Sequence, residues 1–111
     1  MKRALCRLDE LEDPGSAAFT FGEEDLRRAG LIVRRGGSVF AYLNNCPHNG
    51  SPLDWQAGRF LDLDRRFILC ATHGASFRIE DGFCLGGPCA GKSLTPVPVT
   101  LADGTVWLED F

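Results

Sequence analysis

Two short segments of the sequence each place a cysteine close to a histidine, and they constrain the fold more than any other feature. They read Cys46-Pro-His48 and Cys70-Ala-Thr-His73, and together they use both histidines of the chain. Each segment is short enough to form a single loop, so the fold has to bring two loops together if all four side chains bind one metal centre. Two thiolates and two imidazoles suit zinc or an iron–sulfur cluster, and they suit magnesium or calcium badly.

The order of the four candidate ligands separates these two centres. A structural zinc site usually pairs Cys with Cys and His with His along the chain, whereas here both segments are mixed and residues 49–69 lie between them. The mixed order resembles the Rieske family, in which a 2Fe–2S cluster has two cysteines on one iron and two histidines on the other. The resemblance implies one cluster per chain, with Cys46 and Cys70 on the first iron and His48 and His73 on the second.

Glycines near the candidate ligands support the resemblance. Gly50 lies two residues after His48, Gly74 directly follows His73, and the run at residues 86–88, Gly-Gly-Pro, resembles the proline loop that covers the cluster in this family. The stretch between the two segments is somewhat longer than is common in the family, which predicts a longer hairpin with no ligand lost. The alternative that stays open is a zinc-stabilised interaction domain.

Strand patterns dominate the rest of the chain. Apolar residues 31–33 and 39–43 flank a turn that contains Gly36, and residues 67–70 and 75–79 form a second pair of extended runs around the second ligand segment. Such short runs with frequent turns predict an all-β fold, a small antiparallel sandwich or barrel. The resemblance adds a Rieske-like architecture in which a cluster-binding subdomain is inserted.

The predicted boundaries follow from the same resemblance. One domain spans residues 1–111, and its cluster-binding subdomain spans about residues 44–92. Only residues 22–30 have the charge distribution of a helix, with acidic residues early and basic residues late, and the segment is long enough for one or two turns. Pro96 and Pro98 restrict their segment to an edge strand or an extended connection.

Composition limits the classes of partner. The chain has 111 residues, 44% of them hydrophobic and 24% charged, which is ordinary for one globular domain. Its net charge of −3 argues against nucleic acid, which needs a basic face. The longest apolar run, residues 39–43, is too short to span a bilayer, and no apolar stretch follows the basic N-terminal residues as in a secretory signal. These features predict a soluble cytoplasmic protein without a membrane partner.

Residues after the second histidine indicate which kind of Rieske protein this chain resembles. High-potential members of the family have a serine and a tyrosine that donate hydrogen bonds to the cluster sulfurs, and Ala75 and Phe77 occupy those positions here. Those members also join the two loops by a disulfide, at positions that correspond to Ser51 and Thr72. Fewer donors leave the reduced cluster less stabilised, so we expect a potential at the low end of the Rieske range. The resemblance is therefore to the soluble ferredoxin type.

Three cysteines and one tryptophan remain outside the ligand set. Cys84 and Cys89 are close enough in sequence to form a bridge, although two small, semi-buried thiols are the favoured interpretation in a reducing cytoplasm. Cys6 is expected to be packed in a strand. Trp55, soon after the first ligand segment, either shields the cluster from water or belongs to the core.

The predicted function is that of a soluble Rieske-type ferredoxin. It would carry single electrons from a flavin- or NAD(P)H-dependent reductase to an oxygenase. The sequence contains no nucleophile–base set, so the chain is predicted to be an electron carrier and not an enzyme. The alternative from the enzyme class is a small electron-transfer subunit of a larger reductase, resembling that of assimilatory nitrite reductase.

Overall fold

The computed structural model describes residues 3–22, 28–47, 53–54, 58–62, 64–70, 74–87 and 89–109. This part of the chain contains nine strands and one short 3-10 helix, at Leu8–Glu10. The strands are β1 (Arg3–Arg7), β2 (Gly15–Phe21), β3 (Arg28–Arg35), β4 (Ser38–Leu43), β5 (Phe67–Leu69), β6 (Ser76–Arg78), β7 (Cys84–Gly86), β8 (Val99–Ala102) and β9 (Thr105–Leu108). Among the described residues, no helix is long and apolar enough to cross a membrane.

The nine strands form three antiparallel sheets of three strands each. The terminal sheet has the order β1-β9-β8, the central sheet β2-β3-β4, and the inserted sheet β5-β6-β7. We call the third sheet inserted because its strands lie in the sequence between β4 of the central sheet and β8 of the terminal sheet. Every strand pairing is antiparallel, so the predicted all-β antiparallel fold is confirmed.

The central sheet is buried on both faces, and this explains the continuous apolar run at residues 31–33. Side chains alternate between the two faces of a strand. Leu31 and Val33 therefore point to one side, where they join a hydrophobic core shared with Phe77 of the inserted sheet. Ile32 points to the other side and packs with Val106 of the terminal sheet. The central sheet is thus the middle layer between the other two.

The core between the central and inserted sheets, here called the inserted-sheet core, contains four of the five cysteines. Its buried members are Leu31, Val33, Tyr42, Cys46, Leu53, Phe60, Leu61, Ile68, Cys70, Ala75, Phe77, Ile79, Cys84, Cys89 and Leu94. Cysteines and apolar side chains make up this core apart from Tyr42, which places its hydroxyl against a backbone carbonyl. The Tyr42 Oη donates a hydrogen bond of 2.6 Å to the carbonyl of Ile79. Burial, followed by the charges of Asp81 and Glu80, raises the pKa of Tyr42.

Three hairpin turns have the backbone conformations that their sequences predict. Gly36 has a φ of 64° between β3 and β4. Between β8 and β9, Asp103 and Gly104 have φ values of 52° and 76°, the positive values that a two-residue type I′ turn requires. The turn from β6 to β7 uses Asp81, whose carboxylate accepts hydrogen bonds from Arg78 and from the backbone of Phe83. These two donors, Arg78 first, lower the pKa of Asp81 to about 2.

The predicted helical segment at residues 22–30 is wrong at its C-terminal end. Residues 28–30 begin β3, where they pair with residues 19–21 of β2. A Cβ added to Gly30 would lie 2.4 Å from the ring of Phe19, so the absence of a side chain allows the ring to cover this strand. Pairing with β2 outweighs the weak helical charge pattern. Residues 23–27 lie outside the described part of the chain.

The proline-containing segment is an extended connection, as predicted. The backbone N–H of Leu43 donates to the carbonyl of Thr95 at 2.8 Å, and that of Val97 donates to Ala41 at 2.9 Å. The segment therefore continues the edge of the central sheet beside β4 before β8 begins. Pro96 and Pro98 flank Val97, so their missing N–H groups fall between the bonds that the segment makes.

Candidate metal centre

Both predicted cysteine ligands lie at the ends of strands and point into the inserted-sheet core. Cys46 follows β4 by three residues, and Cys70 directly follows β5. The exposed fractions are 1% for Cys46 and 0% for Cys70, and the two residues belong to the same core. His48 and His73 lie outside the described residues. The structure thus brings together the two sulfur ligands of the predicted set of four.

Hydrogen bonds close the turn that carries the second ligand segment. The N–H of Cys70 donates to the carbonyl of Ala75 at 2.8 Å, and the N–H of Gly74 donates to the carbonyl of Cys70 at 2.8 Å. Gly74 has a φ of 70°, a value that glycine adopts without the steric cost that a side chain brings. Pairing of Leu69 with Ser76 continues this hairpin into β5 and β6. Cys70 is therefore held rigidly at one foot of the turn.

The first ligand segment is held by residues that the sequence analysis did not select. The Oδ1 atom of Asn44 accepts the N–H of Leu53 at 2.7 Å, and its Nδ2 atom donates to Asp54 at 3.3 Å. Asp54 also accepts the N–H of Gly58, at 3.4 Å. Asn and Asp side chains commonly bind nearby backbone groups in turns, and an Asn directly after β4 was the signal available in the sequence. These bonds hold residues 44 and 53 together on either side of Cys46.

The Gly-Gly run of the predicted proline loop lies directly against the base of the second ligand turn. A Cβ added to Gly87 would lie 2.7 Å from the Cα of Ala75, and Gly87 has a φ of 97°. Both facts require glycine here, since real Cβ atoms do not approach so closely and L residues rarely adopt this φ. This contact is consistent with a loop that covers the second ligand segment. Pro88 lies outside the described residues.

The neighbouring glycines provide a matched test of this contact. We expect Gly87→Ala to lower the free energy of unfolding by about 1–3 kcal/mol from the positive φ alone, with a further loss from the overlap with Ala75. Gly86→Ala is the control, because nothing lies within 4 Å of its added Cβ. Denaturant unfolding of the two variants measures the difference. Equal stability in both would contradict the close packing of Gly87 on Ala75.

The side chains that replace the hydroxyl donors of high-potential relatives are fully buried. Ala75 and Phe77 both have an exposed fraction of 0%. Ser76 lies between them in sequence, and as a strand neighbour of Phe77 its side chain points to the opposite face. It is also partly exposed. Ser51 and Thr72, at the positions of the loop disulfide in those relatives, lie outside the described residues.

Cys84 and Cys89 are buried more deeply than the sequence analysis predicted. Each has an exposed fraction of 1%, and their Sγ atoms are 3.1 Å apart. The two side chains are thiols and not a disulfide. The Cys84 thiol donates to the carbonyl of Gly86 at 3.2 Å. Burial, followed by the sulfurs of Cys84 and Cys46, raises the pKa of the Cys89 thiol to about 12.

Cys6 and Trp55 are the two remaining residues for which the sequence predicts a role. Cys6 lies in β1 and is partly buried against the core between the central and terminal sheets, as expected for a packed strand residue. Burial, followed by the charge of Glu10, raises the pKa of the Cys6 thiol. Trp55 lies outside the described residues.

An open cleft of about 500 Å³ lies away from the cysteine ligands. Residues of β2 and of the segment 58–65 line it, together with acidic Glu10 and Glu12. Arg65 forms an ion pair with Glu12 in this cleft. Neither Cys46 nor Cys70 belongs to its lining. The cleft is therefore a surface feature, separate from the candidate metal centre, whose two cysteines are buried in the core.

The donors in the described part of the chain fit an iron–sulfur centre. Thiolates are soft ligands that iron–sulfur clusters use, and Cys46 and Cys70 present two of them from a core of apolar side chains. No group of three or more Cys, His, Asp or Glu side chains arranged for a metal ion occurs within the described residues. His48 and His73 lie outside the described residues, so the structure describes only the two cysteines of the predicted ligand set.

Comparison with known proteins defines the class. The family model described as the Rieske 2Fe-2S domain matches residues 2–102, which is most of the chain. The chain therefore belongs to the Rieske 2Fe–2S domain family, and its cofactor is one 2Fe–2S cluster. The match favours the cluster over the zinc alternative. Among proteins of curated function, none has a sequence that matches this chain.

Solved structures with the same fold include ferredoxins. The Sphingomonas yanoikuyae B1 ferredoxin is 28% identical, with a TM-score of 0.70 and 99% of each chain covered. The ferredoxin of carbazole 1,9a-dioxygenase from Nocardioides aromaticivorans IC177 is 21% identical, with a TM-score of 0.73, covering 97% of this chain and 96% of that one. A complex of reduced oxygenase and oxidized ferredoxin in carbazole 1,9a-dioxygenase contains a chain that is 19% identical, with a TM-score of 0.73, covering 96% of this chain and 91% of that one.

Proposed function

We propose that this protein is a cytoplasmic ferredoxin that carries single electrons from a flavin- or NAD(P)H-dependent reductase to an oxygenase. The observation that carries the proposal is the joint burial of Cys46 and Cys70 at the feet of two hydrogen-bonded loops in a chain of the Rieske family. Similarity to a ferredoxin over 99% of both chains supports it. The complex of an oxygenase with a ferredoxin of the same fold supports the choice of partner.

The proposed ligands divide into two pairs. Cys46 and Cys70 would bind one iron as thiolates, and His48 and His73 would bind the other as neutral imidazoles. Two thiolates leave the oxidised site uncharged, whereas four would leave it negative, so this ligand set makes the addition of one electron easier. The ring nitrogen of each histidine that faces away from iron can also hold a proton. The bound cluster supplies the electron-accepting group.

The rest of the chain positions these ligands and excludes water from their sulfur side. We propose that residues 1–111 form one domain and that residues 44–92 are its cluster-binding subdomain. The inserted-sheet core surrounds Cys46 and Cys70 with apolar groups, and the bonds of Asn44 and Ala75 hold the two loops at their bases. Ligands held in this way move little when the charge of the centre changes, which favours rapid electron transfer.

A coupled assay tests the proposal. NADH, a flavin-dependent ferredoxin reductase and cytochrome c are mixed with the anaerobically purified protein, and cytochrome c reduction is followed. We expect the rate to rise with the concentration of this protein, and Cys6→Ser to be as effective as the wild type. Protein with a full cluster that does not stimulate the reaction would contradict the carrier function. Stable copurification with a larger reductase would instead support the subunit alternative.

A further inference from the structure

The inserted sheet has one face in the core and one face outside it. Ile68, Phe77 and Cys84 lie one in each of its three strands, and all three belong to the inserted-sheet core. Because strand side chains alternate between two faces, the neighbours of these residues point away from the core. We call this second surface the outer face, and its side chains, all of them partly or well exposed, are Phe67, Leu69, Ser76, Arg78, Phe83 and Leu85.

The outer face collects exposed apolar side chains. Among the described residues, the large hydrophobic side chains that remain exposed are Phe83 and Leu85, with exposed fractions of 37% and 47%. Both lie on the outer face, beside the partly exposed Phe67 and Leu69 of β5. Single apolar side chains on a surface need no explanation, but a contiguous group of them marks an interaction site.

A β-bulge lies at the most exposed of these residues. Phe77 pairs with Cys84 and Ser76 pairs with Gly86, so Leu85 is the extra residue of β7. Bulges occur often next to functional sites, where they change the direction of a side chain. Here the neighbouring Cys84 is buried while Leu85 is exposed.

The two leucines lie at the end of the outer face that is nearer to the candidate metal centre. Leu69 directly precedes Cys70. Leu85 lies two residues before Gly87, which packs on Ala75 at the base of the second ligand turn. This end of the outer face therefore adjoins one of the two loops that carry the proposed ligands.

The aromatic side chains lie at the opposite end and are covered by arginines. The guanidinium of Arg66 lies 5.6 Å from the centre of the Phe67 ring, and that of Arg78 lies 5.7 Å from the centre of the Phe83 ring. Such cation–π contacts occupy the faces of the rings. The apolar surface that stays open is thus concentrated at the ligand end.

Polar residues border the outer face on both sides. Leu61 pairs with β5, and Ser93 pairs with the residue before β7, so two further extended segments run along the sheet. The partly exposed Asp62 lies in one of them, and the exposed Lys92 and Ser93 lie in the other. An apolar centre with a polar rim is the usual anatomy of a protein–protein interface.

The size of the outer face limits its occupant. Three residues of a strand rise about 10 Å, and five neighbouring segments span about 20 Å, which gives about 200 Å² of sheet. A stable complex needs about 800 Å² from each partner. A second copy of this chain would therefore bury too little here to form a stable dimer, whereas weak electron-transfer complexes have the smallest interfaces of all classes.

We propose that the outer face, with Leu85 as its main apolar contact, docks the oxygenase that accepts the electron. This inference rests on the proposed function. An electron is transferred only when two redox centres approach closely, so the acceptor has to contact surface next to the candidate metal centre, where Leu69 and Leu85 lie. A small apolar contact with a polar rim also lets the protein dissociate quickly between turnovers.

Two variants that add the same charge test the outer face. Leu85→Asp places a carboxylate in the proposed contact, and Thr100→Asp places one on an exposed residue of β8 in the terminal sheet. The probe is the oxygenase that the reduced wild type reduces fastest in stopped flow, from a purified panel that includes the oxygenase of carbazole 1,9a-dioxygenase. We expect the second-order rate constant to fall about tenfold in Leu85→Asp, because a desolvated carboxylate without a partner weakens binding. Thr100→Asp should keep the wild-type value.

A smaller substitution separates the lost contact from the added charge. Leu85→Ala removes apolar contact area and adds no charge, so we expect the same rate constant to fall about threefold. A wild-type rate constant in Leu85→Ala would overturn the inference, also if Leu85→Asp assembles no cluster. Equal losses in Leu85→Asp and Thr100→Asp would overturn it too, since the effect would then belong to charge anywhere on the surface.

Two further measurements identify other occupants. Cytochrome c reduction driven by NADH and the reductase should be the same in Leu85→Asp and in the wild type, because the outer face is assigned to the oxygenase. A tenfold loss in this reaction would assign the face to the reductase. A wild-type dimer in sedimentation that Leu85→Asp dissociates would assign it to a second copy of the chain. Either result would overturn the inference.

Failure of the proposed function has a different signature. Wild-type protein that carries electrons to cytochrome c but reduces no oxygenase of the panel would contradict the proposed acceptor. If the wild type reduces an oxygenase and both Leu85 variants do so at the wild-type rate, the proposed function stands and only the docking surface is wrong.

Discussion

Substitution of Cys46 or Cys70 by serine is expected to abolish cluster assembly and to give colourless protein. Each change removes one thiolate from the iron that both cysteines are proposed to bind, and the buried position of each side chain leaves no room for an external thiol to replace it. Purified without oxygen damage, the wild type should contain about two irons and two sulfides per chain and give the spectra of a Rieske centre. The variants should contain about a tenth of this iron or less. Iron and sulfide analysis with visible absorption measures both.

The remaining cysteines are the controls for this experiment. Cys84→Ser and Cys89→Ser should keep the native spectrum, since neither residue belongs to the proposed ligand set, and Cys6→Ser changes a distant strand of the terminal sheet. Loss of the cluster in both Cys84→Ser and Cys89→Ser would mean that the ligands are misassigned. Stoichiometric zinc in anaerobically prepared wild type, without iron–sulfur absorption, would contradict the cofactor itself.

The histidines should behave differently from the cysteine ligands. His48→Cys and His73→Cys each replace a neutral ligand by a thiolate, so an altered cluster can form, at a lower potential. A potential unchanged from that of the wild type would argue that the substituted histidine does not bind iron.

The second large effect is expected in the reduction potential. The reduction potential of the wild type should be about −150 mV, at the low end of the Rieske range and far below its upper end of about +300 mV. The reason is the absence of hydroxyls at Ala75 and Phe77, which correspond to the hydroxyl donors of high-potential members of the family and are both fully buried. Protein-film voltammetry measures the value. A wild-type potential well above zero would contradict the ferredoxin assignment and, with it, an oxygenase as the partner.

Restoring the missing hydroxyls tests the cause of the low potential. We expect Ala75→Ser and Phe77→Tyr to raise the potential, provided that the new hydroxyls reach cluster sulfurs. A buried hydroxyl that finds no acceptor costs about 1–3 kcal/mol of stability, so a loss of stability without a rise in potential would show that no sulfur is within reach. Ser76→Ala is the control, because Ser76 faces away from Phe77 and should leave the potential unchanged.

Local patterns in the sequence were sufficient to predict the hairpin turns and to indicate the candidate cysteine ligands, whose binding of iron stays a prediction. A two-residue turn such as Asp103-Gly104 depends on φ values that its own residues determine, and alternation along a strand places neighbours such as Ser76 and Phe77 on opposite faces. The mixed Cys-His order is also local, and it indicated the family that the match over residues 2–102 then confirmed. The start of β3 at Arg28 was not predictable in this way, because pairing with β2 decides it.

Contacts between distant segments needed the tertiary structure. The sequence by itself determined which residue types can bind the cluster and which hydroxyl donors are missing, because ligand chemistry and side-chain hydrogen bonding belong to the residues themselves. Only the packing of the inserted sheet on the central sheet decided that Cys46 and Cys70 share one core with Cys84 and Cys89 and that Gly87 contacts Ala75. Such contacts join residues far apart along the chain, and their geometry depends on how whole sheets pack, which no local pattern encodes.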